Sequence, residues 1–599
     1  MKVNEIVQNK INKLIQQIRE HQLADGKWEY CFESGPMTDA YFILMLRSLG
    51  VEEEILVQKL SQRLKNIQHS NGSWCVFEDD GGNLSATIEA YAALLYSGYA
   101  TAEDENMRKA EEFILEEGGL GCAHPSTKFM LALNNLYPWP SSFPLPLLLL
   151  NIPSFLPFSF YKLSSYVRVH LAPILILGYK RFSLTHKDTP DLTHLYKERK
   201  GGRVQNVLSF FRRFIPLSRL NGSALKKAEN YILDNIEGDG TLFSYASATF
   251  YMVYALLALG YDRNSPYIQH AIWGLKSMVY DKSGLTHLQN SPSTIWDTAL
   301  LSYALQEAGV TPKESVVLSS VNFLQSHQQI SGGWGFSESN SIHPDIDDTQ
   351  ASLRAIARSA YQDVQICKTW RDGVNWLLAM QNKDGGWGSF ERNRHKSLLR
   401  LSPIENFNDV AIDPSTTDLT GRALEFLGNF VNVTLNNPRI ASASNWLIRS
   451  QEENGSWFGR WGVSYIYGTW AAITGLTAVG VKADHPSIIR AVDWLKSIQL
   501  SDGGWGESCK SDKEKKYTPL PYSTIVQTSW AVDALVSACD SLTPEIERGI
   551  WFLTSCKADK SLSYQTGAGL PGHFYINYHS YRHIWPLVAL AHYNTKFKK

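Results

Sequence analysis

Three carboxylates in four positions, Asp345-Ile346-Asp347-Asp348 within SIHPDIDDTQASLRAIARSA, form the acidic cluster that stands out in this chain. Pro344 and the helix-forming run that follows place the acids in the first turn of a helix, where unpaired backbone N–H groups and the helix dipole favour negative charge. Capping alone accounts for one aspartate but does not require three. Crowded carboxylates cannot all ionise easily, so one tends to keep its proton, while the helix terminus stabilises the base left after that proton departs. The chemistry this suggests is general acid catalysis. A divalent metal site is the competing use, but no second cluster of the D-D-x-x-D kind accompanies the first, and Asp79-Asp80 runs directly into glycines.

An acid of this kind needs a large scaffold. The chain has 599 residues, 44% of them hydrophobic and 19% charged, which excludes disorder and points to at least two domains. Lysine and arginine (57) nearly cancel aspartate and glutamate (58), so there is no global basic field and no nucleic acid partner is expected. The seven cysteines are scattered, with no C-x-x-C pair, which fits a reduced, cytosol-facing protein without a cysteine zinc site. The first twenty residues mix charge with apolar positions at helical spacing and lack a secretory h-region. The apolar stretch from Phe143 to Ile176 is broken by Pro144, Pro146, Pro153, Pro157 and Pro173, which argues against a spanning helix. It suits either internal packing or a patch that dips into one leaflet, and the basic KERKGGRVQNVLSFFRRF that follows suits a solvated face or anionic headgroups.

The scaffold announces itself as a repeat: glutamine, three residues, glycine, one residue, tryptophan. Intact copies are Gln22/Gly26/Trp28, Gln68/Gly72/Trp74, Gln328/Gly332/Trp334, Gln381/Gly385/Trp387, Gln451/Gly455/Trp457 and Gln499/Gly503/Trp505. Worn copies stand at Ile236/Gly240/Leu242 and Cys556/Lys560/Leu562. Segments between copies, such as ATIEAYAALLYSG and TFYMVYALLALGY, carry apolar residues at helical spacing and often end at glycine. An all-α protein of helix hairpins follows, with α/α barrels as its closed form. The break in intact copies between Trp74 and Trp334 suggests two barrels. In the repeat itself, glycine turns the chain, and glutamine bonds backbone groups and presents its flat amide to the indole, a structural role.

Together, the six repeats, the D-x-D-D sequence after a GGWGF turn, and the segments GSWFGRWGVSYIYGTW and YRHIWPLVAL resemble the squalene–hopene cyclase family, the class II triterpene cyclases. The resemblance covers nearly the whole chain. It implies two α/α barrels, residues 1–15 with 289–599 (catalytic) and 16–288 (membrane-contacting), with a buried apolar cavity between them. It further implies no metal or organic cofactor, monotopic attachment to membrane lipid on the cytoplasmic face of the cell membrane, a lipophilic polyprene substrate and a possible homodimer. Asp347 matches the proton donor and Asp345 and Asp348 the flanking carboxylates. Arg422 falls where hopene-forming relatives often have a histidine, with Asp418 one helical turn earlier and able to pair with it. The aromatics implied for guiding a cation are Trp296, Phe336, Phe390, Trp461, Tyr467, Phe574, Tyr578 and Tyr581, each face contributing about 0.5–2 kcal/mol. Leu570 replaces a family phenylalanine and Tyr166 a tryptophan. That pattern is similar to the tetraprenyl-β-curcumene (sesquarterpene) cyclase branch, which makes a C35 polyprene the first expected substrate and squalene the second. A prenyltransferase β-subunit would need an Asp/Cys/His zinc set, for which no matching cluster is found, and a non-catalytic toroid gives no reason for the acid motif.

Overall fold

The computed structural model describes residues 2–140, 147–156, 159–196, 217–394, 412–556, 560–570 and 572–597. Helices dominate, arranged in two compact units. The first takes in Met1–Glu33, Pro292–Lys396 and Ile412–Lys599, and the second Ser34–Ser291. The division thus falls after Glu33 rather than after residue 15. The reason is local: the Lys2–Glu20 helix is continuous, and Val7, Ile11, Leu14 and Ile18 on one face enter the same core as Trp28 and the C-terminal helix.

Six inner helices of the first unit, all among the described residues, form a closed ring: Thr294–Glu307, Ile346–Ala360, Thr417–Val431, Tyr465–Ala478, Ile525–Ala538 and Tyr581–Phe597. Each packs on the next, and the last packs on the first. Most of their residues are buried around the whole circumference, as expected of helices wrapped by others. Partner helices such as Pro438–Arg449, Pro486–Ser497 and Pro544–Ser555 are one-faced and lie outside. Each of these three starts with proline at the first helical turn behind a capping Asn437, His485 or Thr543, where the missing N–H costs nothing. Where Thr417–Val431 and Tyr465–Ala478 touch, Gly421 and Gly475 face each other: a Cβ on Gly421 would sit 2.2 Å from the Ala471 carbonyl oxygen.

The repeat is the hinge of each hairpin. At Trp457 the indole Nε1 donates to the Leu447 carbonyl at 2.7 Å, while the backbone N donates to Thr469 Oγ1 at 2.9 Å. The same two bonds recur at Trp28, Trp74, Trp334, Trp387 and Trp505. Gln451 spends its amide N–H groups on the carbonyls of Gly455 and Ser487, both at 2.8 Å, so it ties the turn to the following outer helix. The indole's polar partner is therefore a helix-end carbonyl and not the glutamine amide. Gly455 has φ +94°, and a Cβ there would meet the Arg490 carbonyl oxygen at 2.6 Å. Worn repeat 236–242 keeps Gly240 at φ +83° and the bond from Leu242 N to Thr249 Oγ1, so the turn outlives its tryptophan. We expect Trp457→Phe to keep the ring but remove the indole N–H bond to the Leu447 carbonyl, which then keeps only the Ser450 N–H at 3.1 Å, lowering stability by about 0.5–1.5 kcal/mol in thermal or denaturant unfolding. An unchanged midpoint would mean that the indole N–H contributes nothing.

The second unit repeats the hairpin theme, with Met37–Leu49, Leu84–Ser97, Ser165–Lys180 and Ala246–Leu259 as its most buried helices. It is stitched by the buried pair Asp39–Arg63 (2.6 Å), with His287 3.0 Å from the same carboxylate. Of the apolar stretch, Leu147, Leu150 and Phe160 are core residues, whereas Phe155 is 78% exposed and Leu156 42%. Most of its described part is thus packing with one exposed apolar tip. The basic run at 197–214 lies outside the described residues. Among the described residues no helix is long and apolar enough to cross a membrane.

Candidate active site

Asp345 is the N-cap of the Ile346–Ala360 helix, its carboxylate accepting the Asp348 N–H at 2.9 Å. Its own N–H donates to the Trp334 carbonyl (2.9 Å), and the next N–H, of Ile346, donates to the Ser389 carbonyl (3.0 Å), so two repeat turns fix where the acids stand. Asp345 and Asp348 are buried side by side. Loss of hydration, first, and each other's charge, second, push the Asp348 carboxyl well above the carboxylate range, so Asp348 holds a proton and shares it with Asp345.

Asp347 differs. It is half-buried where the other two are buried, and loss of hydration raises its pKa to about 7. Arg422 pulls the value down, Asp418 and Asp345 push it up, and a hydrogen bond from Gln350 lowers it. The result is an acid that keeps much of its proton at neutral pH and still has a stabilised conjugate base. Gln350 Nε2 donates to Asp347 Oδ1 at 2.8 Å.

Arg422 and Asp418 share a helix but do not pair. Asp418 Oδ2 accepts the backbone N–H groups of Arg460 and Trp461, both at 2.8 Å. Arg422 turns instead to Glu425 (3.4 Å), which also holds Arg354 (2.9 Å). Its guanidinium lies over the Trp470 ring at 4.7 Å and the Trp585 ring at 5.3 Å. Arg422 therefore acts on Asp347 through its field.

Aromatic rings continue from the acid. Tyr467 lies 4.8 Å from Trp530, Trp530 6.3 Å from Tyr581, and Tyr581 stacks on Tyr578 at 4.5 Å. Tyr578 meets Phe336 at 6.4 Å and Phe32 at 5.3 Å, and Phe32 reaches Phe574 at 6.2 Å. Trp296 joins through Nε1 to the Tyr581 hydroxyl (3.1 Å). Phe390 and Trp461 form an edge-to-face pair at 5.9 Å, and Trp461 Nε1 donates to Ser389 Oγ, whose residue also receives the Ile346 N–H. Leu570 is half-buried in the strand Gly567–Leu570, directly opposite Phe574 in an antiparallel hairpin with Phe574–Tyr578. This hairpin is fastened to the Trp461 carbonyl through the Ala568 N–H at 2.9 Å. Tyr166 belongs to the other unit, where its ring lies 5.4 Å from Tyr245 and 4.8 Å from His170.

Sequence reasoning missed Phe32, Trp470, Trp530, Trp585, Gln350 and Glu425. Helical spacing carried a signal for three of them: Trp470 stands three residues after Tyr467, Trp585 four after Tyr581, and Gln350 three after Asp347. Among the described residues no group of three or more His, Cys, Asp or Glu is placed to hold a metal ion.

Comparison with known proteins agrees with this geometry. The family models for the squalene-hopene cyclase N-terminal and C-terminal domains match residues 11–284 and 291–595. Sporulenol synthase of Bacillus subtilis is 45% identical, covering 98% of this chain and 97% of that protein. A squalene–hopene cyclase of Zymomonas mobilis is 30% identical, covering 98% and 95%. In fold, the chain is similar to ent-copalyl diphosphate synthase from Streptomyces platensis, with a TM-score of 0.55 at 17% identity over 98% of this chain and 99% of that one. The chain belongs to the squalene–hopene cyclase family and is an enzyme, a class II terpene cyclase.

Proposed function

We propose that this cyclase acts on a long neutral polyprene, with tetraprenyl-β-curcumene (C35) as its preferred substrate and squalene as the second. The observation that carries the chemistry is Asp347: a half-buried aspartate whose carboxyl has a pKa raised to about 7, backed by Gln350 and the Arg422 charge. Its O–H bond breaks as a C–H bond forms at one carbon of the terminal alkene, and the neighbouring carbon becomes a cation. Successive alkenes attack that cation and close rings, while Tyr467, Trp530, Tyr581, Tyr578 and Phe336 offer electron-rich faces to the moving charge. Loss of a proton, or capture of water, ends the sequence. Asp345 and Asp348, which share their own proton, act as the polar floor beneath the donor.

The substrate preference rests on Leu570 and Tyr166, where bulkier aromatics are expected in enzymes that close more rings on C30 chains. Peripheral attachment at the cytoplasmic face of the cell membrane suits a water-insoluble substrate, and the exposed Phe155 and Leu156 support it. Incubating the purified enzyme separately with squalene and with tetraprenyl-β-curcumene, then analysing the hydrocarbons and alcohols, tests the preference. Faster turnover of squalene reverses it.

Leu570→Phe sharpens the same test. A ring opposite Phe574 supplies a late cation–π contact of about 0.5–2 kcal/mol, which changes the partition between pathways from a few-fold to about thirty-fold. Squalene products are expected to shift towards more rings, and C35 turnover to fall because the ring occupies space. If neither shift occurs, Leu570 does not face the substrate.

A further inference from the structure

Asp347 has two oxygens, and a general acid works only if its proton sits on the one that faces the alkene. We infer that Gln350 is a positioning residue that makes this choice, held in its working orientation by Arg354 and Glu425. The inference rests on the assignment of Asp347 as the acid and adds how that acid is aimed.

An amide side chain has a donor end and an acceptor end, and coordinates alone rarely tell them apart. Here the neighbours decide. Arg354 Nε lies 2.6 Å from Gln350 Oε1, and a guanidinium can only donate, so the oxygen end of Gln350 must face Arg354. The NH2 end then has to face the acid. It donates to Asp347 Oδ1 at 2.8 Å and to the Asp347 carbonyl at 3.0 Å. Because Oδ1 permanently accepts this bond, the transferable proton resides on Oδ2. Gln350 is fully buried, so no water competes for either end.

Arg354 cannot swing away. It is fully buried, donates to the Arg422 carbonyl at 2.8 Å and is paired with Glu425. A line of single-direction bonds therefore runs from Glu425 through Arg354 and Gln350 to the acid. When the proton leaves, the Gln350 N–H is already in place on the new carboxylate and nothing has to reorganise. Other charged or titratable groups facing Asp347 are Asp345 and Asp348 beside it, Asp418 and Arg422 on Thr417–Val431, Tyr467 on Tyr465–Ala478, Tyr578 at the end of the hairpin strand, and Tyr581 at the start of Tyr581–Phe597. None of these donates a hydrogen bond to Asp347 in the structure as Gln350 does.

The sign of the test follows. A bond to the charged form lowers an acid's pKa, so removing it raises that pKa. In Gln350→Leu the alkaline limb of the kcat–pH profile is expected to move up by about one to two pH units, with plateau kcat down about tenfold and KM within about twofold. Gln350→Glu keeps the volume and the bond from Arg354, which holds the new carboxyl ionised. It cannot donate to Asp347, so it moves the limb in the same direction even if the leucine variant fails to fold. A role confined to packing would lower the thermal midpoint and leave the limb alone. An unmoved limb in either folded variant overturns the inference. Asp347→Asn measured alongside separates the two claims: if it is inactive while the Gln350 variants keep the parent limb, only the positioning role fails, and if it is active, the acid assignment itself fails.

Discussion

Asp347→Asn is expected to reduce cyclisation by at least about a thousandfold while leaving the thermal midpoint unchanged or slightly raised. The amide has the carboxyl's shape but no acidic proton, and positioned general acids contribute about 10²–10⁴-fold even before a substrate with no other route to ionisation is considered. The fold should not suffer. Asp345, not Asp347, caps the helix, and the Gln350 N–H can still find the amide oxygen. Removing a carboxyl whose pKa burial has raised to about 7 also removes a group that resists ionisation in place. Product analysis after long incubation, with melting curves as the control, checks both halves. Activity within tenfold of the parent enzyme would require a different proton source.

The parts of this site that could be read from the sequence are those whose geometry is local. Asp345 caps the helix that carries Asp347 and Asp348, so three neighbouring residues specify both the turn and the crowding of charge. The repeat is local too: from Gln451 to Trp457 the turn closes within seven residues. Partners that come from another helix were not legible. Asp418 and Arg422 have the spacing of an ion pair, yet Asp418 serves two N–H groups of the loop entering Tyr465–Ala478, which would otherwise be orphaned in the interior. Arg422 instead faces Glu425 and two indole rings, which depend on how the ring of inner helices closes. Seven charged side chains, Asp345, Asp347, Asp348 and Arg354 on one helix and its cap and Asp418, Arg422 and Glu425 on the next, allow many pairings, and the barrel's register selects one of them. The aromatic series was legible only in part for the same reason: Trp530 contacts Tyr467 and Tyr581 across three different inner helices.

Glu425→Gln is expected to destabilise the first unit by about 3–5 kcal/mol, because it leaves two buried guanidiniums without their anion. Arg354 and Arg422 are 0% and 1% exposed, so water cannot take the carboxylate's place. The pairing also has a sign at the acid. Glu425 now offsets much of the positive field of Arg422, and that field lowers the Asp347 pKa. Without the offset, Asp347 loses its proton at lower pH, so the alkaline limb of the kcat–pH profile moves down, opposite to the shift expected for Gln350→Leu. The two variants thus separate field from hydrogen bond at one carboxyl: both weaken catalysis at neutral pH, one by discharging the acid too early and the other by making it too weak. Thermal unfolding and the pH profile, measured on the same preparation, check the pair of effects. A midpoint equal to the parent's would mean that Arg354 and Arg422 find other anions. A limb that moves upward would mean that Glu425 acts on Asp347 through Gln350 more than through Arg422.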